Sequence, residues 1–597
     1  MNLQENITQE FLSSIDLPSA NSKRLNYLLV LPRIVSNSNF TYSFPYGFAL
    51  VSSALKVSGR NVVSVNLNHK SNPKEYLHEI LVENDIDVVF TGGLSGQYMS
   101  VKEVIDEVKS FAPRPIVCVG GGIVTADPAV AMQALEADYG IVGEGEITIN
   151  AFAYALENGL DLKSVQGIVL ADGSLTPERP AIPNLDMLPF PDYDGFEYAD
   201  AFDKNKQAAL ASVGIFAVLA VGRSCPYDCT FCFHTSGKKH RSRSIDNIFK
   251  EIDWAVAKYN ITRFYFTDEM FVYNEHFLEE FTARIARYRL QYLISAHVNF
   301  ISKKALEMLK NSGCTEVRLG FESADNRILR SMRKNSTVER INEVLDMARE
   351  VGVAVGGNII LGDTEETPET ITNSLNWLKC YFDDRDRQIY LAQILTFPGT
   401  HLYKVACDRG IIVDPVQYLK DGEYQINLTK MTDDEYNDMI FTAKLFFVFI
   451  TERTNIGFEN INCVISEIGA NLKHMLLTHT IALWPATYQA AKILELMSPE
   501  IISNKNLYFV NKNPHGMQIG GTSNETSGAK LMEKLKLFGK QIYTPSELLN
   551  DATIDIVLYP HDFQNDGRVY NEIKLELQML YPNIKLVKFS ELAEGVS

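Results

Sequence analysis

The 597-residue chain has no second cysteine knuckle, no long apolar run and little concentrated positive charge. Each shortage narrows what it can be. Its eight cysteines are scattered apart from one triplet, which fits a reducing cytosol. The apolar patch Phe-Phe-Val-Phe-Ile at 446–450 is too short to span a bilayer and reads as a buried helix. The N-terminus opens with polar residues and shows neither a signal peptide nor a membrane span, so a cytoplasmic location is expected. Net charge is -18, and the one basic run is Lys-Lys-His-Arg-Ser-Arg at 238–243. That balance argues against nucleic acid as a general partner. There is no internal repeat and no low-complexity tract. A hydrophobic content of 46% and a mean hydropathy of -0.07 fit a soluble globular protein with room for three or four domains.

Against these shortages stands one run, Gly-Arg-Ser-Cys-Pro-Tyr-Asp-Cys-Thr-Phe-Cys-Phe, which sets Cys225, Cys229 and Cys232 in a C-x3-C-x2-C spacing. One short loop can aim three soft thiolates at one centre, and such ligands suit iron–sulfur clusters or zinc. No fourth cysteine is near, so a cluster held here keeps one iron open. The alternative is a structural zinc site with His234 or His240 as fourth ligand. Closed zinc sites usually pair two short knuckles, and a second C-x2-C is missing.

The triplet, with Phe231 just before its last cysteine, resembles the signature of the radical S-adenosylmethionine (SAM) superfamily. The resemblance implies a [4Fe-4S] cluster on Cys225, Cys229 and Cys232, the residues that carry catalysis. It further implies SAM bound through its amine and carboxylate to the open iron, and a 5'-deoxyadenosyl radical that abstracts hydrogen from substrate. Downstream, short apolar segments at 264–271, 313–323, 357–362 and 395–400 read as strand ends. Helical stretches such as 304–311 and 337–351 separate them. Strand alternating with helix predicts βαβ units in a partial (β/α) barrel, with reactive groups at the C-terminal strand ends. By resemblance, the SAM-binding positions are Phe231, Asp268 and Glu269 (methionyl amine), Glu322, and Gly357 and Gly362 along the adenine. Relatives usually read Gly-x-Pro-Gly-Glu after the fifth strand, whereas this chain reads Gly-Asp-Thr-Glu at 362–365.

Before the triplet, apolar runs at 27–31, 62–67, 87–91, 116–119 and 139–142 alternate with helical segments, including 47–58 and 102–111. Five such strands predict a doubly wound sheet that binds a ligand at its C-terminal edge. The loops expected there are rich in small residues: Thr91, Gly92, Gly93 and Ser95; Gly120, Gly121 and Gly122; Gly143, Glu144 and Gly145. Glycine there lets backbone approach a bulky ligand. As an ordered set these loops resemble the cobalamin-binding domain fused to many radical SAM enzymes. No Asp-x-His-x-x-Gly element follows the first strand, where 32–44 stand instead. The resemblance therefore implies cobalamin without a protein histidine on cobalt; His69 reads as a surface residue. The alternative is a vestigial domain that holds no corrin.

A proline-rich stretch beginning at Pro180 reads as a linker. Residues 416–475 read as mostly helical. Beyond them, strands at 480–484, 507–510 and 554–558, a helix at 488–497, and segments at 511–516 and 546–549 resemble a small Rossmann-like domain. Its first turn, Trp-Pro-Ala-Thr-Tyr-Gln from Trp484, lacks every glycine of Gly-x-Gly-x-x-Gly, so a docking or substrate-orienting platform is expected rather than nucleotide binding.

The reading is an α/β chain: cobalamin-binding-like domain over 1–180, linker over 181–205, and radical SAM core over 206–415. A helical extension over 416–475 and a degenerate Rossmann-like domain over 476–597 follow. The expected activity is a cobalamin-dependent radical SAM methyltransferase acting on a non-nucleophilic carbon or phosphorus of a small molecule or peptide. A flavodoxin or ferredoxin would donate electrons. Radical cyclisation, rearrangement or epimerisation is the rival, and a non-catalytic iron–sulfur scaffold is the rival of another class.

Overall fold

The computed structural model describes residues 8–33, 44–201, 217–381, 389–451 and 461–484, apart from 20 and 69, with shorter stretches after 494. His69, most of 32–44, the turn after Trp484, most of the helix expected over 488–497, and 511–516 and 546–549 lie outside the described residues. The chain divides into two compact units. One comprises Met1–Glu365 with Gln388–Leu428, the other Glu366–Arg387 with Thr429–Ser597.

Among the described residues, the first unit holds two six-stranded sheets and a two-stranded one. Strands β1 (Asn26–Leu31), β2 (Asn61–Asn66), β3 (Val88–Gly92), β4 (Ile116–Gly120), β5 (Tyr139–Ile141) and β6 (Ile168–Leu170) lie in the order β2-β1-β3-β4-β5-β6. Five run parallel, and their continuous apolar sequences follow from burial on both faces: Leu28, Leu29 and Val30 are wholly buried, as are Val88 and Val89. The antiparallel β6, paired with β5, is an addition to the expected five strands. At three residues it is too short for hydrophobic periodicity to reveal. The chain leaves β1 in opposite directions to β2 and β3, which opens a crevice at the C-terminal strand ends. There Gly92 ends β3 and Gly120 ends β4. A Cβ on Gly92 would stand 2.2 Å from the Gly120 carbonyl oxygen, so the two strand ends meet backbone to backbone.

The second sheet begins with β7 (Ala217–Leu219), after which a two-residue hairpin, β8 (Gly222–Arg223) and β9 (Arg241–Ser242), brackets the cysteine loop. Strands β10 (Arg263–Phe266), β11 (Gln291–Ala296), β12 (Cys314–Glu322), β13 (Ala354–Leu361) and β14 (Ile389–Gln393) follow, in the order β14-β13-β12-β11-β10-β7. All pair in parallel and the sheet keeps two edges, a partial barrel. Intervening helices start where the sequence caps them. Ser244, Asn274, Ser302 and Thr337 each accept a backbone N–H of the first turn. The helix Val338–Val351 buries Ile341, Val344, Leu345 and Ala348, one stripe at helical spacing, and ends at Gly352 in the left-handed region.

The segment at 395–400 is a loop rather than a strand, because β14 stops at Gln393 and Pro398 cannot donate to a ladder. Its Gly399 (φ +83°) lies against the Phe233 ring, 2.7 Å from where a Cβ would stand. The chain then returns to the first sheet. Leu419 and Tyr424 join the core that contains Val101 and Met132, and the Tyr424 hydroxyl donates to the Ser95 carbonyl at 2.9 Å.

In the second unit, β15 (Ile481–Leu483), β16 (Leu507–Val510), β17 (Ile542–Tyr543), β18 (Ile556–Tyr559) and β19 (Lys585–Lys588) form a parallel sheet in the order β17-β16-β15-β18-β19. Helices Asp433–Thr451 and Ile461–Thr478 belong to the same unit, and Phe446 is buried. Among the described residues, no helix is long and apolar enough to cross a membrane.

The backbone contact at the strand ends leaves no room for a methyl group. Gly92→Ala is expected to lower unfolding stability by about 1–3 kcal/mol, the usual penalty of overpacking. Urea unfolding of the full chain checks this, and an unchanged midpoint would mean that β3 and β4 can separate.

Candidate functional site

Two cavities in the first unit adjoin the cysteine loop. One, of about 600 Å³, lies at the crevice of the first sheet, and the glycine loops edge it. Thr91, Gly92, Gly93, Gly120, Gly121, Gly122, Gly143, Glu144 and Gly145 all line it, whereas Ser95 does not. Ser95 is buried, with its carbonyl taken by Tyr424. The Thr91 hydroxyl donates to the Val30 carbonyl at 3.0 Å, so this side chain is committed to the sheet. Gly121 (φ +87°) passes so close to Gly93 that a Cβ would stand 2.8 Å from its carbonyl oxygen. Gly143 (φ +77°) has no atom within 4 Å of where its Cβ would stand. The apolar walls come from Leu29, Leu31, Phe90 and Ile141. A concave site edged by bare backbone and walled by apolar side chains fits a large cofactor held by close backbone approach.

The second cavity, of about 390 Å³, contains the cysteines. Cys225, Cys229, Cys232, Phe231, Glu269, Glu322 and Gly357 line it together, whereas Asp268 and Gly362 do not. Burial pushes the Cys225 and Cys229 thiols up. Cys232 is partly open to solvent, yet the protein around its sulfur, with Glu269 next, pushes it up to about 12. Left alone the three are thiols, and a bound metal would deprotonate them. Among the described residues, no three His, Cys, Asp or Glu side chains gather as one metal ion would need. A polynuclear cluster differs in setting each thiolate on its own iron, so three cysteines on one short loop fit it. Backbone bonds fix that loop: Thr230 N–H donates to the Met332 carbonyl at 3.0 Å, and Leu402 N–H donates to the Thr230 carbonyl at 3.1 Å. The half-buried Phe231 packs against the apolar cluster that contains Ile328, Met332 and Leu402.

Asp268 and Glu269 take different parts. Asp268 is buried and accepts from the backbone N–H of Val221 at 3.0 Å and of Gly222 at 2.5 Å, and burial pushes it up to about 7. It pins the start of the hairpin and lines the glycine cavity. Glu269 lines both cavities, with its Oε2 3.5 Å from Nδ1 of His234. Neither ring nitrogen of the largely buried His234 has a hydrogen-bond partner.

Glu322 ends β12 at a bulge with φ +62°, and Lys334 Nζ lies 2.9 Å from its Oε1. Both side chains are about nine-tenths buried. Burial pulls the Lys334 ammonium down, but the Glu322 carboxylate beside it outweighs that and leaves it raised. Gly320 makes room, since a Cβ there would stand 2.3 Å from Glu322 and 2.4 Å from Lys334. Gly357 admits the Phe321 ring beside it, 2.4 Å from where its Cβ would stand.

Lys334, His297, Tyr227, Arg318 and Tyr390 also line the cysteine cavity, and no local motif marks them. The His297 and Tyr227 rings stack with centroids 4.0 Å apart. Asn299 N–H donates to His297 Nδ1 at 3.3 Å, so the proton sits on Nε2, which donates to the Lys334 carbonyl at 3.0 Å.

Glu144, one of the residues expected in the cobalamin loop, is engaged by the protein, as is Glu146 two positions on. Glu144 accepts from Arg241 at 2.7 and 3.0 Å and lies 3.1 Å from Arg223, while Arg223 also pairs with Glu146. Their carboxylates are spent on the hairpin that carries the cysteines.

Residues 219–378 match the family model described as Radical SAM superfamily, and residues 33–153 match that of the B12 binding domain. Over 360 residues the chain is 28% identical to an uncharacterised methyltransferase of Pyrococcus horikoshii, covering 57% of this chain and 76% of the relative. It is 25% identical over 391 residues to the anaerobic magnesium-protoporphyrin IX monomethyl ester cyclase of Rubrivivax gelatinosus, covering 63% and 68%. The cobalamin-dependent SAM radical enzyme OxsB, solved with aqua-cobalamin bound, shares the fold. The TM-score is 0.59 at 15% identity, over 93% of this chain and 84% of that one.

Burial first, then Lys334, hold His297 down to about 4. Between that value and its ordinary range the folded chain binds fewer protons than the unfolded one, so stability falls as pH drops. The share of that loss owed to His297 should be about 2 kcal/mol at pH 5 relative to pH 7. His297→Gln should remove that part of the acid sensitivity, read as urea midpoints at the two pH values. Equal losses in both proteins would contradict it.

Proposed function

We propose that this chain, a radical SAM superfamily enzyme with an N-terminal B12-binding domain, transfers a methyl group to a non-nucleophilic carbon or phosphorus of a small-molecule or peptide intermediate. The observation that carries this reading is the shared wall between the cavities. Glu269 lines both, and Arg223, Ser224, Thr235 and Ser236 from the cysteine loop line the glycine cavity as well. A substrate at that junction would meet both cofactors at once, which is the advantage of a preassembled site. When bound, the cluster with SAM supplies hydrogen abstraction and the corrin supplies the methyl group.

In this reading Cys225, Cys229 and Cys232 hold the [4Fe-4S] cluster. Glu269 and Glu322 bind the SAM amine, and Lys334 fixes Glu322 in place. Gly357, which lines the cysteine cavity, lies along the adenine, and Gly362 (φ +107°) turns the chain beyond it. Phe231 anchors the loop by packing, and Asp268 positions it through the backbone of Val221 and Gly222. Gly92, Gly93, Gly120, Gly121, Gly122, Gly143 and Gly145 seat cobalamin by backbone approach. Thr91 shapes the cavity wall, and Ser95 acts from outside the lining through Tyr424. The reaction belongs in the cytoplasm, with a flavodoxin or ferredoxin as reductant. The likeness to the Rubrivivax cyclase favours a second reading, radical ring formation without methyl transfer, from the same two cavities.

Reconstituted anaerobically with iron, sulfide and hydroxocobalamin, then given reductant and SAM, the protein should release 5'-deoxyadenosine and S-adenosylhomocysteine. A methyl group labelled in SAM should appear on the corrin. Deoxyadenosine alone would overturn methyl transfer and leave the second reading. Cys229→Ala should bring deoxyadenosine to background, measured by chromatography, and retained cleavage would remove the cysteines from the role given to them.

A further inference from the structure

We propose that Glu144 and Arg241 are positioning residues that couple the two cavities, so that a corrin in one and SAM in the other strengthen each other's binding. The inference rests on the two-cofactor reading above and extends it to how the sites communicate.

Glu144 stands between Gly143 and Gly145, in a loop that edges the glycine cavity. Its Oε1 accepts from Arg241 at 2.7 Å and lies 3.1 Å from Arg223. Its Oε2 accepts from Arg241 at 3.0 Å and from the Ile182 N–H at 2.6 Å. Both oxygens are fully engaged, so the side chain is spent on the protein. Arg241 reaches onward, donating to the carbonyls of Ile182 at 2.6 Å and Ser236 at 3.1 Å. The Ser236 carbonyl also accepts from the Ser224 hydroxyl at 2.9 Å, next to Cys225. Arg223 and Arg241 are cross-strand partners in the hairpin that opens and closes the cysteine loop. Arg241 and Glu144 are each less than a tenth exposed.

The glycine loop therefore cannot shift without dragging the base of the cysteine loop. A ligand that orders the first loop pre-orders the second, and the second ligand then loses less entropy on binding. Linkage requires the effect to be reciprocal, with the same factor in both directions.

The test uses the full chain with its cluster reconstituted. SAM affinity is measured with and without saturating hydroxocobalamin, and hydroxocobalamin affinity with and without saturating SAM. Each should tighten the other by about fivefold or more, by equal factors. In Glu144→Gln with Arg241→Gln, which removes both partners and strands no charge from that pair, the factor should fall to about one at unchanged iron content. Glu144→Asp, which keeps the charge but shortens the reach, should give an intermediate factor. A factor of one in the native protein overturns the coupling. A full factor in the double variant also overturns it, because the ligands then communicate by direct contact. A chain that binds SAM but no corrin overturns the two-cofactor reading and this inference together. Binding of both without coupling overturns this inference alone.

Discussion

The hairpin that carries the cysteines hangs on four charged side chains, Glu144, Glu146, Arg223 and Arg241, which tie it to the last glycine loop of one sheet. Buried ion pairs are poor sources of net stability, because desolvation cancels most of the attraction. They do fix geometry, since parting the partners would leave a buried charge unpaired. Asp268 holds the same hairpin from the other side through the backbone of Val221 and Gly222. Tied at both sides, the base of the cysteine loop can move only together with the glycine loop and with the backbone of Val221 and Gly222.

Strain gathers around that loop. Ser224, Glu322, Arg333 and Asn335 are non-glycine residues at φ 71°, 62°, 54° and 56°. Each such position costs on the order of 1–3 kcal/mol and persists only where its surroundings over-determine it. Glu322 is over-determined by Lys334, and the absent side chain of Gly320 makes space for the pair. Ser224 is held by its bond to Ser236. A buried, neutral His297 completes this wall by donating to the carbonyl of the same Lys334.

How much of this was legible in the sequence follows from how local each signal is. The cysteine triplet and the glycine-ended strands are short patterns whose chemistry lies in adjacent residues, and both lead to the matching cavities. The alternation of strand and helix carries the parallel strands of the two large sheets of the first unit for the same reason. What failed to show was non-local or too short. β6 is three residues long. Glu144 reads as a ligand residue until Arg241, 97 positions later, is seen to claim it. Asp268 and Glu269 are neighbours that only the backbone of Val221 and Gly222 separates in role. Lys334 and His297 carry no motif, and the fold alone brings them to the cysteines.

The central claim is that the two cavities form one centre, with the corrin and the cluster on either side of Glu269. Electron paramagnetic resonance of the protein carrying both reduced [4Fe-4S] cluster and cobalt(II) corrin tests it most directly. Mutual splitting or broadening of the two signals, absent when either centre is loaded alone, is the expected result. A spectrum equal to the sum of the two singly loaded forms would place the centres too far apart to share a substrate, and the account would fall.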